Sequence, residues 1–296
     1  STIGDIREFS KLSDEIKHFQ PEIIFHLAAQ PLVRQSYKNP IETYETNVLG
    51  TLNVLEAARK SGSVKAIIIV TTDKCYENNE WVWGYRETDP MGGRDPYSSS
   101  KGCSELVTAS YRESFLRAAN VGIATARAGN VIGGGDWAED RLIPDILRSF
   151  EASRPVVIRN PNATRPWQHV LEPLSGYLIL AEQLFKKPGE FSEAWNFGPY
   201  DRDVQPVDWI LDQMTNLWPG ASWGLDRDDN PHEAMLLKLD ISKASAILGW
   251  VPTWNLNVTL GKIVRWHKHW VEGADMRVEC IKEINEFTED MRNKIT

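Results

Sequence analysis

Three short, almost unbroken apolar runs constrain this chain more than any other feature: Glu22 to Leu27, Lys65 to Val70 and Val121 to Ala126. Runs of this length without alternation read as strands buried on both faces, the condition of a parallel sheet. Between the first two, Ile41, Tyr44, Val48, Leu52 and Leu55 follow Pro40 at helical spacing and stop near Gly62. Between the second and third, a helix opening near Pro96 continues through Leu106, Val107, Tyr111 and Phe115. Strand, helix, strand, helix, strand at these separations predicts an α/β fold with a doubly wound parallel sheet. Such sheets bind ligands at the carboxyl ends of their strands. Here those ends carry Ala28-Ala29-Gln30, Thr71-Thr72-Asp73-Lys74 and Arg127-Ala128-Gly129-Asn130.

Beyond Gly133 the pattern loosens. Helices are expected over Leu142 to Phe150, Leu171 to Phe185, Val207 to Leu217, Ser242 to Leu248 and Thr259 to Trp270, with strands at Val156 to Ile158 and Trp195 to Gly198. The reading is a first domain over residues 1–133 and a smaller α/β substrate-binding domain over 134–296, with parts of about 155–200 returning to the first. The cleft between them is the expected binding site. Gly133-Gly134-Gly135 matches no phosphate-loop spacing and reads as a hinge. Val278, Ile281, Ile284, Phe287 and Met291 form a helical stripe expected to dock on the body or on a partner.

Composition narrows the function. A net charge of −8 argues against nucleic acid as a partner. Cys75, Cys103 and Cys280 are odd in number and widely separated, so no disulfide framework or zinc site is expected, and a reducing, cytoplasmic setting fits. No apolar run is long enough to span a membrane. The histidines suggest no metal site: His26 ends an apolar strand and reads as a core residue, and His267 and His269 point in different directions on one helix.

The chemistry concentrates at Pro96-Tyr97-Ser98-Ser99-Ser100-Lys101. Positions four apart share a helix face, so Tyr97 and Lys101 present a phenol and an ammonium to one region. A tyrosine ordinarily ionises near pH ~10, and work as a base near neutrality requires a drop of about 3 units, which a fixed cation favours. The spacing also occurs by chance on surface helices; the residues upstream give it weight.

Thr72-Asp73-Lys74, Tyr97-x3-Lys101 and Arg127-Ala-Gly-Asn130, in that order, resemble the extended short-chain dehydrogenase/reductase family in its nucleotide-sugar branch. The strings Thr72-Asp-Lys-Cys-Tyr76, Gly129-Asn-Val-Ile-Gly-Gly-Gly-Asp-Trp137 and Arg165-Pro-Trp-Gln-His-Val170 are most similar to the branch's 4,6-dehydratases, with a CDP-sugar as the substrate class. The resemblance implies a Rossmann-type sheet, NAD as cofactor, and a homodimer or homotetramer joined through the helices at 41–55 and 101–115. It makes Tyr97 the base at the sugar 4-OH, Lys101 its electrostatic partner, Thr72 a hydroxyl on the same oxygen, and Asp73 the acid for the leaving 6-OH. Lys74 stands where related dehydratases carry a glutamate, and is either the C5 base or a partner for Asp73. Asp5, Ile6, Ala28, Ala29, Gln30, Thr71, Tyr97 and Lys101 are the implied cofactor contacts. Asn130, Arg141, Arg159, Arg165, Arg227 and His232 are the substrate candidates. The family opens with a strand and a glycine-rich turn that are expected ahead of Asp5, so the numbered chain is expected to bind dinucleotide poorly or not to fold alone. The alternative within the branch is a 4-epimerase, which needs Tyr97 and Lys101 but no acid at Asp73.

Overall fold

The computed structural model describes residues 1–225 and 236–295. The chain runs α1 (Phe9–Phe19), β1 (Ile23–His26), α2 (Val33–Lys38), α3 (Pro40–Tyr44), α4 (Gly50–Ser61), β2 (Ala66–Val70), α5 (Pro96–Tyr111), β3 (Gly122–Ala128) and β4 (Asn130–Ile132). It continues through α6 (Leu142–Glu151), β5 (Val156–Ile158), β6 (Thr164–Arg165), β7 (Trp167–His169), α7 (Leu171–Lys186), α8 (Pro188–Phe191) and β8 (Ala194–Phe197). The last elements are β9 (Gln205–Pro206), α9 (Val207–Leu217), β10 (Trp223–Leu225), α10 (Leu256–Val271) and α11 (Met276–Ile295).

The main sheet has the order β1-β2-β3-β8 with every pair parallel. β2 and β3 are buried along almost their whole length, as their unbroken apolar runs require. β1 departs from expectation: Ile23 and Phe25 are exposed, because among the described residues it has a neighbour on one side only. Leu55, Ala58, Ile67, Ile69, Leu116 and Ile123 fill the layer between the sheet and α4 and α5. On the other face Tyr177, Leu180 and Leu184 of α7 pack against Ala66, Ile68 and Ala124. Helices thus cover both faces, and the strand ends are left as the place where a ligand can enter. β8, distant in sequence, closes the sheet beside β3.

Three regularities of the sequence are interrupted in the structure, one of them the helix from Pro96 through Phe115, whose last turn at Arg112–Leu116 is π-helical. The helix expected from Ile41 to Leu55 forms as α3, a π-helical turn over Glu45–Leu49, and α4. π turns of this kind often mark functional positions, and this one carries the buried Asn47. The helix expected over Ser242 to Leu248 is a π turn at Ala244–Leu248, stopped by Gly249 in the left-handed region at φ 67°.

A second core lies among α6, α9 and α10, where Ile146, Ile210, Leu211, Met214, Leu260 and Ile263 are fully buried. Gly134 belongs to this packing. A Cβ built there would sit 2.2 Å from Trp266, so the triple glycine is a close approach of backbone to an indole as well as a bend.

The tail helix docks by a different face than its apolar stripe suggests. Val278, Ile281 and Ile284 are exposed, and of the stripe Phe287 is the fully buried member, edge-on to Trp254. The docked face is acidic. Glu283 faces His169 at 3.2 Å, Glu279 bonds His269 at 2.8 Å, Asp290 accepts from the Trp254 indole at 2.7 Å, and Glu286 pairs with Lys262 and Arg265. Several charge-assisted bonds to a basic groove outweigh the burial that three aliphatic side chains would give. Phe287→Ala is therefore expected to lower stability by about 3 kcal/mol, whereas Ile281→Ala is expected to stay within about 0.5 kcal/mol. Denaturant midpoints of the two variants check the orientation, and equal losses would refute it.

Candidate active site

At the end of β2 the Thr71 backbone N–H still donates to Ala126 O, at 2.9 Å, before the chain turns away from the sheet. Thr72 adopts extended backbone and caps a short 3-10 turn over Asp73–Cys75, its hydroxyl accepting from the Lys74 N–H at 3.3 Å. The same hydroxyl donates to Asp73 Oδ1 at 3.0 Å. Asp73 is only 2% exposed, and its Oδ2 is buried without a hydrogen-bond partner. Burial raises the Asp73 pKa, opposed by the charges of Lys74 and Arg165 and by the Thr72 bond. The cap at this turn is the Thr72 hydroxyl, and the Asp73 carboxyl keeps its Oδ2 unpartnered.

α5 begins with Asp95 as its N-cap, which accepts from the Ser98 N–H at 2.9 Å, and with Pro96 at the first position. The Tyr97 N–H donates to Ser36 Oγ of α2 at 3.1 Å, fixing the start of the helix against the loop after β1. Tyr97 is buried, and burial pushes its phenol up to about 12. The Thr72 hydroxyl and the Arg141 guanidinium pull in the opposite direction, while Asp73 adds to the rise. One turn on, Lys101 is 6% exposed and donates to Val70 O at 3.0 Å, so its ammonium sits on the last carbonyl of β2. Burial lowers its pKa to about 8, and the nearby Glu105 resists the fall.

Thr72, Asp73 and Tyr97 thus form one buried cluster, with Lys74, Arg141 and Arg165 near enough for their charges to act on it. Arg165 is half-buried in β6 and donates to Thr164 O. Arg141 is held by Asp136 at 3.0 Å, in a loop whose Trp137 packs at a tilt against Trp266 and Trp270 of α10. The far end of this loop reaches the first part of the chain, where Asp140 pairs with Arg34 at 2.7 Å. Asn130 opens β4, its N–H bonded to Pro166 O at 3.1 Å. Arg159 lies just past β5 and is exposed. Arg227 and His232 lie outside the described residues.

The residues expected against a cofactor divide into two groups. Ala28 and Ala29 line the end of β1 with small side chains, and Thr71 donates its hydroxyl to Glu105. Gln30 is a brace: its amide bonds the Leu32 backbone and Thr43 Oγ1. Asp5 is half-buried and held in a two-pronged pair by Arg7, whose bonds lower the carboxyl to about 2. Ile6 packs so closely on α4 that a Cβ at Gly50 would lie 2.4 Å from its Cδ1.

The structure adds residues that sequence reading passed over. Asn47 accepts from the Gln30 N–H and donates to Gln30 O and Ser100 Oγ, tying the β1 loop to α5. Its position on a broken helix carries no periodic signal. Glu105 and Arg127 form a fully buried ion pair behind Lys101. Glu105 could have been found, since Tyr97, Lys101 and Glu105 recur at a spacing of four. His26 is a satisfied core residue, its Nε2 3.1 Å from Thr51 Oγ1.

The geometry is that of a buried acid, hydroxyl and phenol at the ends of parallel strands. A family model described as GDP-mannose 4,6 dehydratase matches residues 2–192. The chain belongs to this family. CDP-glucose 4,6-dehydratase of Salmonella typhimurium is 59% identical over 293 residues, covering 97% of this chain and 82% of that protein. The fold is shared with UDP-glucose 4-epimerase from Thermotoga maritima with UDP-glucose, at TM-score 0.79 and 22% identity over 90% of this chain and 84% of that one. It is shared equally with UDP-glucuronic acid 4-epimerase from Bacillus cereus in complex with UDP-glucuronic acid and NAD, at TM-score 0.78 and 22% identity over 90% and 81% of the two chains. Among the described residues of this family member no helix is long and apolar enough to cross a membrane.

Proposed function

We propose that this protein is an NAD-dependent CDP-glucose 4,6-dehydratase, a lyase that converts CDP-D-glucose to CDP-4-keto-6-deoxy-D-glucose. The observation that carries the reading is the near full-length 59% identity to a CDP-glucose 4,6-dehydratase. The cluster of Thr72, Asp73 and Tyr97 supports it, because Asp73 is a buried carboxyl whose surroundings favour the proton. A 4-epimerase has no use for such an acid.

The residues present fit a nicotinamide dinucleotide. The small side chains at Ala28 and Ala29 leave room at the end of β1, and the buried Lys101 ammonium, with a single hydrogen bond to Val70 O, faces the same end of the sheet. Ala28, Ala29, Thr71, Tyr97 and Lys101 would hold it, with Asp5 and Ile6 toward its far end. When bound it supplies a hydride acceptor that later returns the hydride to the sugar.

The chain's own groups handle the protons. Tyr97 takes the proton of the 4-OH as C4 becomes a ketone, with the Thr72 hydroxyl on the same oxygen and the Lys101 ammonium favouring the phenolate. The ketone acidifies the C5 hydrogen, which a base must remove. Lys74 stands beside Asp73 and serves as that base or as the cation that balances the carboxyl. Asp73 gives its proton to the 6-OH, which departs as water. Arg165 and Arg141 offer guanidinium groups to the diphosphate, Arg by Arg suited to a two-pronged contact, and Asn130 adds an amide.

The test is incubation with the CDP-, dTDP-, UDP- and GDP-forms of glucose, reading the 4-keto-6-deoxy product. Turnover of CDP-glucose to that product is expected; formation of the galactose epimer instead would replace the reading. Assembly is part of the proposal. Ile41, Leu49, Leu106 and Phe115 are exposed on the helices around α4 and α5, and we infer a homodimer joined there. Sedimentation at micromolar concentration is expected to give a dimer or larger, and Leu106→Glu to weaken it; a monomeric parent protein would refute the inference.

A further inference from the structure

Behind the reacting cluster lies a polar network that the dehydration steps do not use. The Glu105 and Arg127 side chains are 2% and 1% exposed, yet both are charged groups in the middle of the sheet and helix interface. Arg127 Nε donates to Glu105 Oε1 at 2.9 Å and its Nη2 to Oε2 at 2.8 Å. Thr71 and Thr125 donate their hydroxyls to the same two oxygens. Arg127 Nη1 reaches on to the Tyr76 hydroxyl at 2.9 Å and to Glu87 O at 3.1 Å. A buried ion pair is a poor source of stability, since the cost of desolvating two charges offsets their attraction. Its place in the molecule points elsewhere.

Glu105 is one helical turn past Lys101, and Thr71 follows Val70, the residue whose carbonyl holds the Lys101 ammonium. The groups around that ammonium at neutral pH are few. Cys75 faces it, but burial keeps this thiol protonated. His26 faces it from β1, and burial together with Lys101 lowers the imidazole to about 4, leaving it neutral. Tyr97, on the same helix, holds its proton at rest. Glu105 is therefore the anionic neighbour among these groups. Burial works against its charge, but the bonds and charge of Arg127 and the hydroxyls of Thr71 and Thr125 outweigh it and hold the carboxyl below its ordinary value. Arg112 adds a further cation on the outer side of the pair.

We propose that Glu105, locked in place by Arg127, Thr71 and Thr125, is the positioning residue that keeps the Lys101 ammonium charged and seated on the carboxyl end of β2. The inference rests on the dehydratase reading of Lys101. Through Lys101 it sets how readily Tyr97 takes a proton. Arg127 in turn makes the loop through Tyr76, which follows Asp73 and Lys74, part of the same rigid unit.

The test follows Lys101 directly. Competitive acetylation of the holoenzyme with acetic anhydride, read by mass spectrometry on the peptide carrying Lys101, gives the pH midpoint of its ammonium. Glu105→Gln is expected to move that midpoint to lower pH by about one unit, a tenfold change in the charged-to-neutral ratio at fixed pH. The alkaline limb of the single-turnover rate of nicotinamide reduction is expected to move with it. Glu105→Asp, which keeps the charge, should restore both. Glu105→Gln leaves Arg127 without its partner and can fail to fold, so Glu105→Gln combined with Arg127→Met carries the same measurement with no orphaned cation. A midpoint unchanged in the folded Gln variants, with only the amount of active protein reduced, would overturn the proposal and leave the pair a structural brace. A shifted midpoint with an unshifted rate profile would uphold the coupling and count against Lys101 as part of the dehydratase machinery.

Discussion

Tyr97→Phe is expected to lower turnover at least a hundredfold while leaving the fold and substrate binding nearly unchanged. The ring of Tyr97 is buried against its neighbours and its backbone N–H is bonded to Ser36, so the phenyl ring retains every packing and helix-start contact. What disappears is the phenol oxygen that interacts with the Thr72 hydroxyl. Loss of a single hydrogen-bonding hydroxyl costs about 1 kcal/mol of stability. Loss of general base catalysis costs roughly 10² to 10⁴ in rate, and a hundredfold corresponds to about 2.7 kcal/mol in the barrier. The two magnitudes separate the chemical role from the structural one. Single-turnover appearance of reduced nicotinamide absorbance measures the step directly, and a thermal melt in parallel measures the fold. Near-normal reduction in the variant would remove Tyr97 from the reaction.

The placement of several candidate residues was legible before the structure because it follows local rules. Thr72, Asp73 and Lys74 lie where a buried strand stops, and Tyr97 and Lys101 share a helix face by spacing alone. What could not be read was long-range. Arg127 looks like the end of a strand in the sequence, and only the pairing of β2 with β3 sets it opposite Glu105. The acidic docking of α11 was equally hidden, since Glu283 and Glu286 answer His169, Lys262 and Arg265 on elements far away in the chain. An apolar stripe records what a helix could bury; a set of distant polar partners decided which face it does bury. Asn47 was hidden for another reason. The π turn at Glu45–Leu49 shifts the phase of the helix, so periodicity assigns its side chain no particular face.

Asp73→Asn should separate the two halves of the reaction and, independently, reveal where the Asp73 proton resides. An amide keeps a hydrogen-bonding partner for Thr72 and nearly the same shape, but cannot donate an acidic proton to the 6-OH. Oxidation at C4 is therefore expected to proceed while water loss slows by about a hundredfold or more, so that reduced nicotinamide and 4-keto-glucose accumulate. Equal slowing of both steps would deny Asp73 the role of acid. The second readout needs no substrate. In the folded protein burial raises the Asp73 pKa above its unfolded value, so the folded state holds a proton that the unfolded chain gives up. Stability contributed by this group is then full at low pH and declines as pH rises from the ordinary carboxyl range through the raised value. Asn has no such proton to lose. The variant's melting temperature is expected to exceed that of the parent near pH 8 and to converge with it below about pH 3, where Asp73 is protonated in both states. A variant that melts lower at pH 8 would mean that the carboxylate is stabilised by Lys74 and Arg165 more than it is penalised by burial, and that Asp73 rests ionised, with no proton to give.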